Sequence, residues 1–229
     1  MKKKVLVIDV GGTNVKIMIS RNKRRKFKSG PKMTPREMIA QVKMELKGWK
    51  FDGIAIGFPA PVRDGRILSD PKHLGKGWVG FNFEKALGKP VRILNDAALQ
   101  ALGSYRGGRM LFLGLGTGLG STLVLPDLVL PLELGDLPYR DHRIIEDFLG
   151  KTGIDEFGGK AWEREVVFAV NQLKKSVIAD YVVLGGGKAK KLGRMPDGVE
   201  LGNNRNAFLG GVRLWQNDPR TGRAKWRIF

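Results

Sequence analysis

Val5-Leu-Val-Ile-Asp9-Val-Gly11-Gly12-Thr13-Asn14-Val-Lys16-Ile-Met-Ile19 is an apolar run, a Gly/Thr turn and a second apolar run. Leu111-Phe-Leu-Gly-Leu115-Gly116-Thr117-Gly118-Leu-Gly120-Ser121-Thr-Leu-Val-Leu125 uses the same device again in the second half of the chain. Aliphatic runs of this kind joined through a short Gly-bearing break read as β-hairpins. Glycine lets backbone N–H groups approach an anion with no Cβ in the way. A Thr hydroxyl adds a donor, and successive turn amides form an anion-binding nest. A single Gly-rich hairpin is common in β structure. Two that face each other across a cleft make a phosphate clamp, suited to a nucleotide or a polyphosphate.

Working outward, Arg21 to Lys28 reads as the solvated end of the first hairpin and a third, edge strand, whose basic side chains discourage edge pairing. Thr34-Pro35 reads as a helix start, with Thr34 as N-cap and Pro35 at the first helical position. That helix runs to about Lys47, with Met38, Val42 and Leu46 on one face. Gly53 to Phe58 is a buried strand, and residues 59–80 are a connection long enough to expect a functional role. Pro90 to Leu94 is a strand that runs into a helix at Asn95-Asp96, which Gly103 to Gly108 breaks. The segment Pro126 to Tyr139 reads as irregular. Asp141 to Leu149 and Lys160 to Ala179 read as helices, Tyr181 to Leu184 as a strand entering Gly185-Gly186-Gly187, and Asn206 to Gln216 as a last helix. The tail from Arg220 to Phe229 has no evident place. The expected architecture is α/β with two related lobes around a cleft. The lobes are 1–106 and 107–229, and the final helix is free to pack back on the first.

The chain has 229 residues, enough for a sizeable core, and 42% hydrophobic and 28% charged content, ordinary for a globular protein. It has no cysteine, which removes disulfides and thiolate metal sites and leaves cytoplasm as the default compartment. No apolar run is long enough to span a membrane. Met-Lys-Lys-Lys followed by a run that stops at Asp9 reads as a first strand rather than a signal peptide. The 41 Lys and Arg against 22 Asp and Glu give a net charge of +19. Such an excess favours polyanionic partners, or is simply a charged surface.

Several motifs occur in a fixed order: Asp9-Val-Gly-Gly-Thr-Asn-Val-Lys16, Gly57-Phe-Pro-Ala-Pro-Val62, Leu94-Asn-Asp-Ala97, Leu115-Gly-Thr-Gly-Leu-Gly120, Glu133-Leu-Gly135 and Leu184-Gly-Gly-Gly187. In these the chain resembles the ROK family of sugar kinases, within the actin–hexokinase superfamily, and with Trp78-Val-Gly80 its polyphosphate glucokinase branch. The resemblance implies a two-lobed hexokinase-like fold and phosphoryl transfer to a hexose, glucose first, from polyphosphate, ATP or both. It implies that Asp96 is the general base and that Asn95, Asp96, Glu133 and the residue at 136 contact the sugar. Read from the residues alone, Asp96 and Asn95 serve equally as a helix N-cap. The resemblance further implies that Asp9 orients hydrated Mg²⁺ and the donor phosphates. Gly11, Gly12, Thr13 and Lys16 would line the first phosphate loop, and Gly116, Thr117 and Gly118 the second. The alternative for Asp9 is an Asx-turn cap, and for Lys16 an outward strand residue. Gly185, Gly186 and Gly187 resemble the stretch that packs on a nucleotide; the alternative is a tight turn.

Three departures stand out. Asp136 replaces the family's His, so it accepts sugar hydrogen bonds but cannot donate as imidazole does, and it adds negative charge near Asp96. His73 stands where Asn is usual, and is either a sugar contact or a surface-loop histidine. The Cys-rich zinc loop is missing, so no zinc and no protein-held metal site are expected. Lys23, Arg24, Arg25 and Lys26, with Lys188, Lys190, Lys191 and Arg194, form either a basic track to the cleft or a solvated face. Two other functions stay open: a kinase for another hexose or an N-acetylhexosamine, prompted by Asp136, and a non-catalytic sugar-sensing regulator. The regulator expects a helix-turn-helix ahead of the first loop, which here begins at residue 9, and loss of the base, which Asp96 retains. Neither a specific nucleic acid nor a membrane is expected as a partner, and a homodimer is left open.

Overall fold

The computed structural model describes residues 3–203 and 205–229. Its first strand, β1 (Val5–Val10), is buried on both faces, as expected of a central strand with a parallel neighbour. It continues through a hairpin into β2 (Asn14–Met18) and the exposed edge strand β3 (Arg24–Lys28). Helix α1 (Pro35–Glu45) begins as the sequence predicts: the Thr34 hydroxyl accepts from Glu37 N at 3.4 Å, and the Glu37 carboxylate accepts from Thr34 N at 2.8 Å. Next come β4 (Gly53–Phe58), the short hairpin β5 (Val62–Arg63) and β6 (Arg66–Ile67), and α2 (Phe83–Leu87). They are followed by β7 (Val91–Asn95) and α3 (Asp96–Ser104).

The second half repeats this order. β8 (Met110–Leu115) and β9 (Leu119–Leu125) form a hairpin, followed by β10 (Leu128–Leu132). Helices α4 (Ile145–Leu149), α5 (Lys151–Phe157) and α6 (Gly159–Ser176) precede β11 (Tyr181–Gly185) and β12 (Val199–Leu201). Helix α7 (Asn206–Leu214) and β13 (Arg227–Ile228) close the chain. The first sheet has the order β3-β2-β1-β4-β7 and the second β12-β11-β8-β9-β10-β13. In each, three antiparallel strands are followed by two parallel ones. The duplication predicted from two hairpins thus extends to both sheets.

Side chains alternate across β1, so Leu6, Ile8 and Val10 join one core with α1, while Val5 and Val7 join another. That other core is a shared central layer, where α3 and α7 lie between the two sheets. The far face of the second sheet is covered by α4 to α6. The two central helices touch backbone to backbone. A Cβ on Gly103 would stand 1.8 Å from Asn206 O, and one on Gly210 would stand 1.8 Å from Leu99 O. The Arg213 guanidinium donates to Leu102 O and Tyr105 O at 2.6 and 2.8 Å, satisfying carbonyls at the α3 C-terminus.

The structure corrects three expectations, the first being the helix expected from Asp141, which begins only at Ile145 because Asp141 and His142 have φ of +51° and +58°. The segment from Pro126 is not irregular, because it contains β10. Pro131 sits in that strand beyond the part that β13 pairs, where its missing N–H removes no bond to β13. The tail does have a place: β13 covers the edge of β10, and Trp226 is buried against Tyr105, ring centroids 5.6 Å apart. Among the described residues no helix is long and apolar enough to cross a membrane.

Candidate active site

Asp96 is the first residue of α3 and directly follows β7. The N-cap is Asn95, whose Oδ1 accepts from Ala97 N at 2.9 Å and Ala98 N at 3.3 Å. Capping therefore does not require Asp96. One of its oxygens accepts from Ala97 N at 2.8 Å, and the carboxylate is otherwise without a protein partner among the described residues. Glycines of both sheets let this helix end come close. A Cβ on Gly57 of β4 would meet Leu99 at 2.9 Å and Asp96 Cα at 3.4 Å, and one on Gly120 of β9 would meet Ala97 at 2.7 Å. The start of α3 is thereby wedged between the two hairpin systems.

Burial in this wedge raises the Asp96 carboxyl to about pKa 7, with the charges of Asp9 and then Glu133 pushing in the same direction. Asp9, the last residue but one of β1, lies on the same face as Val5 and Val7, is only 7% exposed, and is bridged by Lys16 Nζ at 2.9 Å. The strand register, Asp9 opposite Lys16, produces that bridge. Lys16 is thus paired with Asp9 while its side chain stays about half exposed, at 48%. The first turn is held by Gly11 N to Asn14 O at 3.1 Å and by Ser29, whose hydroxyl donates to Gly11 O at 2.6 Å. In the second turn Gly116 N donates to Gly118 O at 3.0 Å. Among the described residues no protein acceptor takes the N–H groups of Gly12, Thr13, Thr117 or Gly118. Both turns therefore keep donors for an anion.

Gly185 ends β11 against the Phe112 ring, Gly186 lies against Leu115 at the base of the second turn, and Gly187 is exposed with nothing packed on it. Gly186 has φ +81°, and a Cβ there would collide with Leu115 O at 2.2 Å. Glu133 and Asp136 flank a 3₁₀ turn, Leu134–Asp136, and both are exposed. The Glu133 carboxyl is raised by partial desolvation and by the charges of Asp136 and Glu146, and is lowered by Lys72.

Two neighbours, Glu146 and Lys72, were not predicted from sequence, and a third, His73, was singled out only as standing where Asn is usual. The Glu146 carboxylate, from α4, accepts from Leu119 N at 2.9 Å and lies against Gly118. In sequence it is one acid in the first turn of a short helix, with nothing to distinguish it. The charge of Lys72 acts on Glu133, and His73 packs on Gly12, where a Cβ would stand 2.9 Å from His73 Cβ. Both come from the long connection, which Asp70 pins by accepting from Gly77 N at 3.1 Å and Trp78 N at 2.9 Å. Asn95 has an amide oxygen committed to the cap and Nδ2 donating to Ala60 O at 3.4 Å, which leaves one N–H for a ligand. The described residues include no group of three or more acids or histidines arranged to hold a metal ion.

The predicted basic tracks divide. Arg24, Lys26 and Lys28 lie opposite Met18, Lys16 and Asn14, so they share the sheet face of Lys16. Lys23 and Arg25 instead lie over Trp49, each 5.3 Å from its ring. Lys188 is half-buried, its N–H donating to Leu115 O at 3.1 Å, while Lys190, Lys191 and Arg194 are exposed.

Comparison with known proteins accords with this geometry. A crystal structure of an inorganic polyphosphate/ATP-glucomannokinase from Arthrobacter sp. strain KM superposes with a TM-score of 0.77 at 21% identity, over 91% of this chain and 96% of that one. A ROK family glucokinase from Streptomyces griseus, solved with glucose and AMPPNP, gives 0.73 at 15% identity, over 92% and 98%. A ROK family transcriptional regulator, a homologue of the E. coli MLC protein, gives 0.71 at 14% identity, over 92% of this chain and 77% of that one. At these identities the likeness is one of fold. A search of curated proteins finds no match. The ROK family model matches residues 5–128, more than half of the 229, and the chain belongs to the ROK family.

Proposed function

We propose that this chain is a hexose phosphotransferase, with glucose as the first substrate to expect and ATP or inorganic polyphosphate as donor. The observation that carries the reading is Asp96: a carboxylate between two donor-bearing turns, not needed as a cap, with a pKa of about 7. A general base is most effective when its pKa lies near the working pH. Asp96 takes the proton of the sugar hydroxyl as that oxygen attacks the terminal phosphoryl group. The free N–H groups of Gly12, Thr13, Thr117 and Gly118 hold the donor phosphates, and fixed donors of this kind stabilise charge on the transferring group. Asn95, Glu133, Asp136 and Glu146 orient the sugar hydroxyls. Gly187, exposed just past the end of β11 and with nothing packed on it, offers open backbone for a nucleoside. The division at residues 106 and 107 makes each sheet a lobe, and closure of the lobes excludes water.

One partly neutralised carboxylate, Asp9, suits Mg²⁺ held mainly by donor phosphates and water, and the bound ion supplies charge neutralisation there. The cation face of Lys16, Arg24, Lys26 and Lys28 supports polyphosphate as a donor. Side chains two residues apart on a strand stand about 7 Å apart, a ladder that a linear polyanion can follow. Asp136 favours a second reading, in which the accepted sugar is another hexose or an N-acetylhexosamine. One coupled assay, a panel of hexoses crossed with ATP and long-chain polyphosphate, tests all of this. Hexose phosphate from at least one pair is the expected result. No product from any pair overturns the reading in favour of a non-catalytic sugar-binding member of the family.

A further inference from the structure

The end of the first sheet remote from Asp9 holds a second cationic concavity. Three elements build it: the start of β1, the β2–β3 turn, and the loop between α1 and β4. They enclose a cavity of about 360 Å³, lined by Lys4, Ser20, Lys23, Trp49 and Lys50 among others, with no acidic residue in its wall. Asp52 approaches, but it accepts from the Lys4 backbone N–H at 2.8 Å. Glu45, the other nearby acid, is taken by Arg25 at 3.7 Å. Among the described residues none of the three ammonium groups has a carboxylate at ion-pair distance. Trp49 is fixed as a wall by Lys23 and Arg25 over its ring.

Like charges gathered round one concavity repel each other, and a bound anion attracts each of them and offsets that repulsion. The volume is in the range of small-molecule sites. Five residues of extended chain, about 17 Å, separate Lys4 from Asp9, so a ligand here leaves the reaction site free.

We propose that this cavity is a second phosphate-recognising site, taking a phosphorylated small molecule through Lys4, Lys23 and Lys50. Two sources carry the required chemistry, an oligophosphate and a hexose phosphate. The site does not depend on the phosphotransferase reading, since both ends of β1 were derived separately.

Calorimetric titration of the full chain tests it, with tripolyphosphate and glucose 6-phosphate as separate probes. The variants are Lys4→Gln/Lys23→Gln/Lys50→Gln and, as a control for general charge, Lys43→Gln/Lys47→Gln, exposed lysines outside this cavity. The wild-type chain should bind one equivalent more of at least one probe than the triple variant, or bind it at least tenfold more tightly. The control should match the wild type, and melting temperatures should confirm that all three proteins are folded. The probe that loses the equivalent identifies the source. Identical titrations for wild type and triple variant overturn the proposal, as does an equal loss in the control, which would mean diffuse attraction to a basic surface. If the sugar and donor panel yields no product while the extra equivalent persists, the phosphotransferase reading fails and this one stands.

Discussion

Replacing Asp96 with Asn should stabilise the fold, and by more at pH 8 than at pH 5. The side chain keeps its shape, Ala97 N keeps an acceptor, and the cap belongs to Asn95. In the folded chain the carboxyl holds its proton up to about pH 7, against 3.8 for the unperturbed group. A raised pKa means that folding favours the protonated form. The stabilisation this gives is complete below pH 3.8 and is lost as pH rises through 7. At about 1.4 kcal/mol per unit, ionised Asp96 costs up to about 4 kcal/mol above pH 7, less where cleft water screens the charge. Of this, up to about 3 kcal/mol develops between pH 5 and pH 7. Asn behaves as the protonated form throughout. Urea denaturation of both proteins at pH 5 and pH 8 gives the difference directly. A gain for the Asn variant that grows by at least about 1 kcal/mol from pH 5 to pH 8 is expected. A variant that is less stable at both pH values, or has the same advantage at each, would refute the burial and charge argument for Asp96.

Three further outcomes follow from the same geometry. The base must be ionised to act, so kcat/KM should fall about tenfold per pH unit below about pH 7; a profile flat down to pH 5 would exclude Asp96 as the base. Asp136→His removes one of the charges raising Glu133, so it should shift the KM for sugar and leave the KM for donor nearly unchanged, as a sugar-by-donor kinetic matrix would read out. Gly103→Ala places a Cβ 1.8 Å from Asn206 O, where backbone has to move, and should cost about 3 kcal/mol in denaturant unfolding; a cost under about 0.5 kcal/mol would contradict the close contact of α3 and α7.

Much of the fold was legible because its signals are local. Gly/Thr turns between aliphatic runs marked both hairpins, and Thr34-Pro35 marked the start of α1, to which the structure adds a capping box with Glu37. What escaped depends on distant partners. Leu128 to Leu132 contains a proline and becomes a strand through pairing with β9, and Arg227 to Ile228 becomes one only because β10 offers an edge. At the site, Asp9 and Asp96 could be picked out because Asp9 stands near the end of a strand beside the Gly pair and Asp96 follows a strand and opens a helix. Glu146 and Lys72 could not, because α4 and the connection after β6 reach the cleft through tertiary packing. The register that pairs Lys16 with Asp9, and puts Lys23 and Lys26 in different places, is likewise a property of paired strands.

The most direct test of the central claim is the amount of hexose phosphate formed by the wild-type chain and by Asp96→Asn, with the sugar and donor both saturating. The account predicts transfer by the wild type and a fall in kcat of about 10²–10⁴-fold in the variant, which stays folded. Activity within about threefold of wild type in the variant would show that Asp96 is not the base, and no transfer by the wild type to any hexose would contradict the phosphotransferase reading itself.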